Sequence, residues 1–198
     1  MSQLRERQRE MSEAGYILNG SSFEKEMLTT HWTRQPELLT TRPTAPPGVA
    51  AMREELKAVF PRARARRWNP AARSETRNFS EIPTSEFLSA KNIHTLRPGG
   101  YSYTVVVGEA FIRLGSSHPI MSAGEPSEAA GDLFIGPDPV TGEQTVLWIN
   151  PRSDTYMSPD DSLLSAVEAM WAQGIYPSEI WLRSWDNEKT LFRSKMPK

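Results

Sequence analysis

Tyr101-Ser102-Tyr103-Thr104-Val105-Val106-Val107-Gly108-Glu109 is the stretch on which the fold turns. Tyr101, Tyr103, Val105 and Val107 recur at every second position, the period of a strand with one buried face. Gly108-Glu109 permits a tight turn, and Ala110 to Leu114 returns as a second strand, giving a hairpin. Further on, Asp132–Ile135 and Thr145–Ile149 form the next strand pair across the turn-rich segment Gly136 to Gly142. A helix is expected next. Ser158 is its N-cap, Pro159 its first residue, Asp160 and Asp161 lie at the positive dipole end, and Gly174 is the C-cap. Leu163, Val167, Met170 and Trp171 make its apolar stripe, and Ile180–Trp185 reads as a closing strand before a polar tail. Residues 101–198 are thus expected to be an α+β module, an antiparallel sheet of four to five strands with one helix packed on it.

Upstream the pattern loosens. Residues 1–48 read as a flexible or helical N-terminal arm and linker, with a short helix around Phe23, Met27 and Leu28 behind Ser21-Ser22. Pro36, Pro43, Pro46, Pro47 and Gly48 break the chain. Residues 49–100 read as a helix plus a basic connecting segment. Val49, Met52, Leu56, Val59 and Phe60 share one helical face, and Pro61 ends it.

Composition removes whole classes of function. The 198 residues contain no Cys, so disulfide frameworks, thiolate metal sites and a Cys nucleophile are excluded. Three His and scattered carboxylates give no metal-ligand spacing, and neither a metal nor a cofactor is expected. Apolar runs fall far short of the ~20 residues of a membrane span. Met1 to Glu10 is charged, with no apolar run behind it, so no signal peptide is expected. The reading is a soluble chain made in a cytoplasm.

The net charge of −1 hides a split. Arg53 to Arg77 holds eight basic and three acidic residues, a net of +5, whereas Tyr101 to Asp161 holds two basic and nine acidic, a net of −7. Either the basic half meets a polyanion or the two halves lie against each other.

Three polar stretches, each at the end of an apolar strand, are candidates for chemistry: Arg113-Leu114-Gly115-Ser116-Ser117-His118-Pro119, Glu128 to Leu133, and Asn150 to Pro159. Within them Gly108-Glu109, Arg113, Gly115, His118, Ala129-Ala130-Gly131-Asp132 and Ser153-Asp154-Thr155-Tyr156, with Pro159 beyond, follow a recognisable order. That order resembles a divergent form of a module found at the C-termini of bacterial polymorphic toxins and in secreted effectors. Its pattern runs through Ala-Ala-Gly-Glu to Ser-Gly-His-Tyr. The resemblance covers Tyr101 to Ile175. It departs from the pattern at Asp132, where the pattern has Glu, and at Thr155, where it has its second His. The resemblance implies delivery to a target cell by a signal-peptide-independent route, with a cognate inhibitor or delivery protein as partner. It makes Arg113, His118, Asp132, Thr155 and Tyr156 the catalytic candidates.

Read by chemistry alone, His118 is the proton-transfer group, since it is the only His after residue 100 and imidazole titrates near neutrality. Thr155 and Tyr156 suit a phosphate or ribose hydroxyl, with Ser153 beside them. Arg113 and Arg152 suit developing charge on phosphate. Such a set suffices for metal-free RNA cleavage in which the 2′-hydroxyl attacks. Arg66, Arg67 and Trp68 within the basic stretch would add phosphate attraction and base stacking. The plainer alternatives are a His in a turn, an Asp at a bulge, loop hydroxyls satisfying backbone groups and a core tyrosine. Trp148, Trp171 and Trp181 are expected in the core, leaving Trp32 and Trp68 for partners.

Three functions follow. The first is a toxin- or effector-like ribonuclease. The second is an ADP-ribosyl transferase using NAD, with Arg113, Ser153, Tyr156 and Glu188 in its roles; it ranks lower because no Glu-x-Glu or Gln-x-Glu pair flanks the closing strand. The third is a non-catalytic module that binds a protein target after losing its second His.

Overall fold

The computed structural model describes residues 16–19, 31–34, 38–61, 86–115, 117–122 and 125–196. The helix expected around Phe23 and the basic residues Arg66, Arg67 and Trp68 lie outside the described residues. Two strands, β1 (Tyr16–Asn19) and β2 (His31–Arg34), pair antiparallel within the segment expected to be flexible or helical.

Helix α1 (Val49–Val59) forms where the apolar spacing places it, and Val49, Met52, Leu56 and the following Phe60 are buried. Val59 is not: steps of three, four and four residues trace one narrow stripe, and Val59 falls beside it, exposed.

The main sheet has seven strands, not four or five. They are β3 (Glu86–Leu88), β4 (Gly99–Val106), β5 (Ile112–Gly115), β6 (Ser127–Pro137), β7 (Gln144–Ile149), β8 (Glu179–Arg183) and β9 (Thr190–Lys195). Their spatial order is β3-β5-β4-β6-β7-β8-β9. The expected hairpin is present, with Tyr103 opposite Leu114. The two extra strands are the edges. One is only three residues long, and the other reads as a polar tail because an edge strand carries charge that discourages further pairing. The sheet is also mixed, since β7 and β8 run parallel, which needs the long crossover containing α3 (Leu163–Ala172).

That helix starts later than its cap signals suggest. Pro159 is extended, with φ −76° and ψ 164°, so Ser158 caps nothing. A 3-10 turn over Asp160–Ser162 leads into the helix at Leu163. Its end is as expected. Gly174 takes φ +78°, letting the Ile175 N–H return to the Met170 carbonyl at 3.2 Å.

One face of the sheet carries Tyr103, Val105, Ile112, Leu133, Ile149 and Leu182 into a core shared with α1 and with Val167, Met170 and Trp171 of α3. Residues 49–60 and 86–88 therefore belong to the same folded body as the rest of the sheet. Strand alternation sends Arg113, Asp132, Phe134, Trp148 and Trp181 to the opposite, outer face. A short helix α2 (His118–Ser122) covers the β5 end of that outer face. Trp148 and Trp181, expected in the core, are half-buried there. Only Trp171 of the three is a core residue.

Asp138 pins the β6–β7 turn to the start of β8. Its Oδ1 accepts from the Val140 N–H at 2.8 Å, the Thr141 N–H at 3.1 Å and the Ser178 hydroxyl at 2.7 Å, and its Oδ2 from the Ser178 N–H at 2.8 Å. Burial alone would raise this carboxyl, but these hydrogen bonds outweigh it and hold it below the usual range. The stability it contributes is complete above the unfolded-state value of about 3.9 and is lost as pH falls through the lower folded-state value. Calorimetry of Asp138→Asn should therefore show a lower melting temperature than the parent at neutral pH, with the two curves converging in acid. A constant gap across that range would show that the carboxylate charge is not what matters.

Candidate functional site

The centre of the site is Asn150, fully buried at the end of β7. Its backbone N–H donates to the Asp132 carbonyl at 2.9 Å. Its side-chain oxygen accepts from the N–H groups of Asp132 at 2.9 Å and Arg152 at 3.0 Å. Its amide donates to the Asn187 side chain at 2.8 Å, and its carbonyl accepts from the Tyr103 hydroxyl at 3.0 Å. Burial pushes that phenol well above its ordinary value, so it stays a donor. One asparagine thus ties the middle of β6 to the end of β7 and to the turn between β8 and β9. The carboxyl ends of the two parallel strands, β7 and β8, open here, a position where sheets containing parallel strands commonly bind ligands.

Gly131 makes this close approach possible. A Cβ at that position would stand 1.9 Å from the Asn150 carbonyl oxygen. On the peptide joining Gly131 to Asp132 sits His118, half-buried, with Nε2 2.8 Å from the Gly131 carbonyl oxygen. A carbonyl only accepts, so Nε2 is the protonated nitrogen. The Asp132 side chain is half-buried and accepts from the Ser102 hydroxyl at 3.3 Å. Arg152 is exposed, with its guanidinium 5.4 Å over the Trp185 ring. His118 thus rests on the Gly131–Asp132 peptide, and the Asp132 and Arg152 backbone N–H groups share the Asn150 side-chain oxygen.

The other predicted residues are placed differently. Arg113 is buried, and its guanidinium engages both Glu109 carboxylate oxygens, with Nε to Oε2 at 2.9 Å and Nη2 to Oε1. Its Nη1 donates to the Met121 carbonyl at 2.8 Å, and the group stacks 5.5 Å from the Phe87 ring. This arginine fastens α2 to the sheet and is not presented to a phosphate. Tyr156 is also buried. Its hydroxyl meets the Ser122 hydroxyl and donates to the Glu125 carbonyl at 2.7 Å, and burial raises its pKa. Thr155 and Ser153 are buried, and the Ser153 hydroxyl accepts the Tyr156 N–H at 3.1 Å. Thr155, Tyr156 and Ser153 form the inner wall, so their hydroxyls do not line an open site.

Sequence reading passed over Asn150 as a site residue, although it opens the third polar stretch, because its role depends on the turn between β8 and β9 as well as β6. Ser122 and Asn187 left no comparable signal. The Glu109–Arg113 pair was legible only as two separate motif positions.

Two clefts are formed elsewhere by the described residues. One of about 540 Å³ runs between Leu39–Arg42, α3 and the β4–β5 turn. Of its three carboxylates, Glu109, Glu128 and Glu168, the first is held by Arg113 and the last by Arg53 at 2.6 Å. The other, of about 380 Å³, lies on the outer face beside Trp148 and Trp181. No group of three or more metal-ligating side chains occurs among the described residues, and no helix there is long and apolar enough to cross a membrane.

Comparison with known protein families, with curated proteins and with solved structures finds no match to this chain.

Proposed function

We propose that the protein is a toxin- or effector-like module that cleaves RNA without a metal, with His118 as its proton-transfer group. The observation that supports this best is the His118 imidazole at the Gly131–Asp132 peptide, partly open to solvent, with its protonated Nε2 anchored on a backbone carbonyl. In the proposed step the RNA 2′-hydroxyl attacks the adjacent phosphorus and loses its proton to the Asp132 carboxylate. The departing 5′-oxygen takes a proton from the imidazolium, leaving a 2′,3′-cyclic phosphate. Arg152, the exposed cation at the rim, offsets the charge that builds on the phosphoryl oxygens.

The test is incubation of total RNA with the full chain in EDTA. Cleavage is expected, and His118→Ala should slow it by about 100-fold or more with the thermal transition unchanged. Absence of cleavage by the parent, or cleavage indifferent to His118→Ala, refutes the assignment.

A second reading, a non-catalytic module that binds a protein target, is favoured by one observation. Thr155, standing where the toxin pattern has its second His, is buried in the wall, so that position offers no second acid or base. The transferase reading loses support for the same reason, since Arg113, Ser153 and Tyr156 are buried together.

A further inference from the structure

Among the described residues, α2 covers the outer face of the sheet at the β5 end. Beyond it, Phe134, Trp148 and Trp181 stand in register on three adjacent strands, Phe134 opposite Trp148 and Trp148 opposite Trp181. The Phe134 and Trp148 rings lie 5.9 Å apart at 23°, close to parallel. Arginines interleave with them. The Arg183 guanidinium lies 5.8 Å from the Trp148 ring, and that of Arg193 lies 4.1 Å from Trp181. The groove of about 380 Å³ borders both tryptophans and is walled by Pro137, Pro139, Leu147 and Glu179, whose carboxylate is paired with Arg193.

Indole rings left partly open to water on a sheet face, as Trp148 and Trp181 are, gain from a flat ligand that completes their cover. Charge narrows the choice. Arg193 is neutralised by Glu179. Arg183 makes no ion pair among the described residues, and its Nε, though buried, has no hydrogen-bond partner there. A groove that offers ring faces and one uncompensated guanidinium fits a ligand carrying both planar rings and negative charge. A proline-rich peptide supplies no anion, and an acidic peptide supplies no succession of flat rings. We infer that this face binds single-stranded RNA, with bases stacked on Trp148 and Trp181 and a phosphate at Arg183. The strand direction fits the site already described. Asp132 and Phe134 are two residues apart on the same face of β6, about 7 Å, so RNA lying on the rings leads toward His118. The inference goes beyond the cleavage reading and stands whether or not His118 transfers a proton.

The test separates binding from cleavage by using a fluorescent 2′-O-methyl oligouridylate of about 12 residues, which lacks the attacking hydroxyl. Its anisotropy is titrated with the full chain in EDTA at several salt concentrations. Trp181→Ala should weaken affinity about tenfold, and Trp181→Phe much less, because a stacking face is retained. Arg183→Gln should weaken binding and reduce the slope of log affinity against log salt by about 0.7, the value for one lost phosphate contact to a single strand. Should Trp181→Ala fail to melt cooperatively, Arg183→Gln and Trp181→Phe decide the matter. No binding of the oligonucleotide overturns the proposal, as does binding that all three variants leave unchanged. A response of tryptophan fluorescence to a proline-rich peptide alone overturns it in favour of a peptide groove.

Discussion

Replacing Gly131 by alanine should cost about 3 kcal/mol or more of stability and lower the melting temperature by roughly 10 °C. The added methyl would stand 1.9 Å from the Asn150 carbonyl oxygen, 2.8 Å from the carbonyl carbon and 2.9 Å from the Arg152 nitrogen. All three are backbone atoms, and none can swing aside as a side-chain tip can. Either β6 or the segment after β7 must move away. The movement would break the Tyr103–Asn150 bond at 3.0 Å and the Asp132–Asn150 bond at 2.9 Å, both in a buried network where an orphaned partner is costly. Gly136→Ala is the control. Its methyl would meet the Leu147 Cδ1 at 2.8 Å, a mobile side-chain end, so the cost should stay within about 1 kcal/mol. Calorimetry of the two variants side by side is decisive. A Gly131→Ala protein that melts with the parent would show that the Asn150 carbonyl does not press on this strand. Because His118 rests on the same glycine, Gly131→Ala should also lose any RNA cleavage.

Removing the carboxylate of Glu109 should be the second large effect. Arg113 has 7% of its side chain exposed and Glu109 23%, so Glu109→Ala leaves a guanidinium inside the protein without its counter-charge. The expected loss is about 3 kcal/mol, read as a lower urea midpoint at unchanged slope. The pair as a whole need not be stabilising, because each charge was taken out of water to form it. Glu109→Ala combined with Arg113→Met should accordingly recover at least about half of the loss. If Glu109→Ala is as stable as the parent, water reaches the guanidinium, and Arg113 becomes available again as a phosphate ligand.

Much of the architecture was legible in local chemistry. The alternation from Tyr101 to Val105, the apolar stripe of α3 and the glycine that ends it each report a neighbour a few residues away, and each is found in the structure; Val107, expected on the same buried face, lies past a bulge at Val105–Val106 and beyond the end of β4, and is exposed. Signals that depend on one residue were weaker. Ser158-Pro159 has the composition of a helix start, yet Pro159 stays extended and a 3-10 turn over Asp160–Ser162 intervenes before the helix. The edge strand Thr190–Lys195 looked like a polar tail, since its charges are what a sheet edge exposed to water requires. Trp148 and Trp181 sit in apolar surroundings in the sequence, and period two places them on a definite face. It does not say whether anything covers that face.

By itself the sequence determined the α+β class, the hairpin on β4 and β5, the helix ending at Gly174, and the absence of cysteine chemistry, because periodicity and composition are local and survive without knowledge of partners. Only the tertiary structure decided which polar groups are spent in holding the fold and which remain open. Arg113 and Tyr156 carry the same functional groups as a working site, but burial and hydrogen bonds to Glu109, Met121, Ser122 and Glu125 consume them. Arg152, no more conspicuous in the sequence, is left exposed over Trp185, and Arg183 lies half-buried over Trp148 with no ion pair among the described residues. The physical reason is that desolvation and pairing depend on groups far apart in the chain, which meet only when the sheet has assembled.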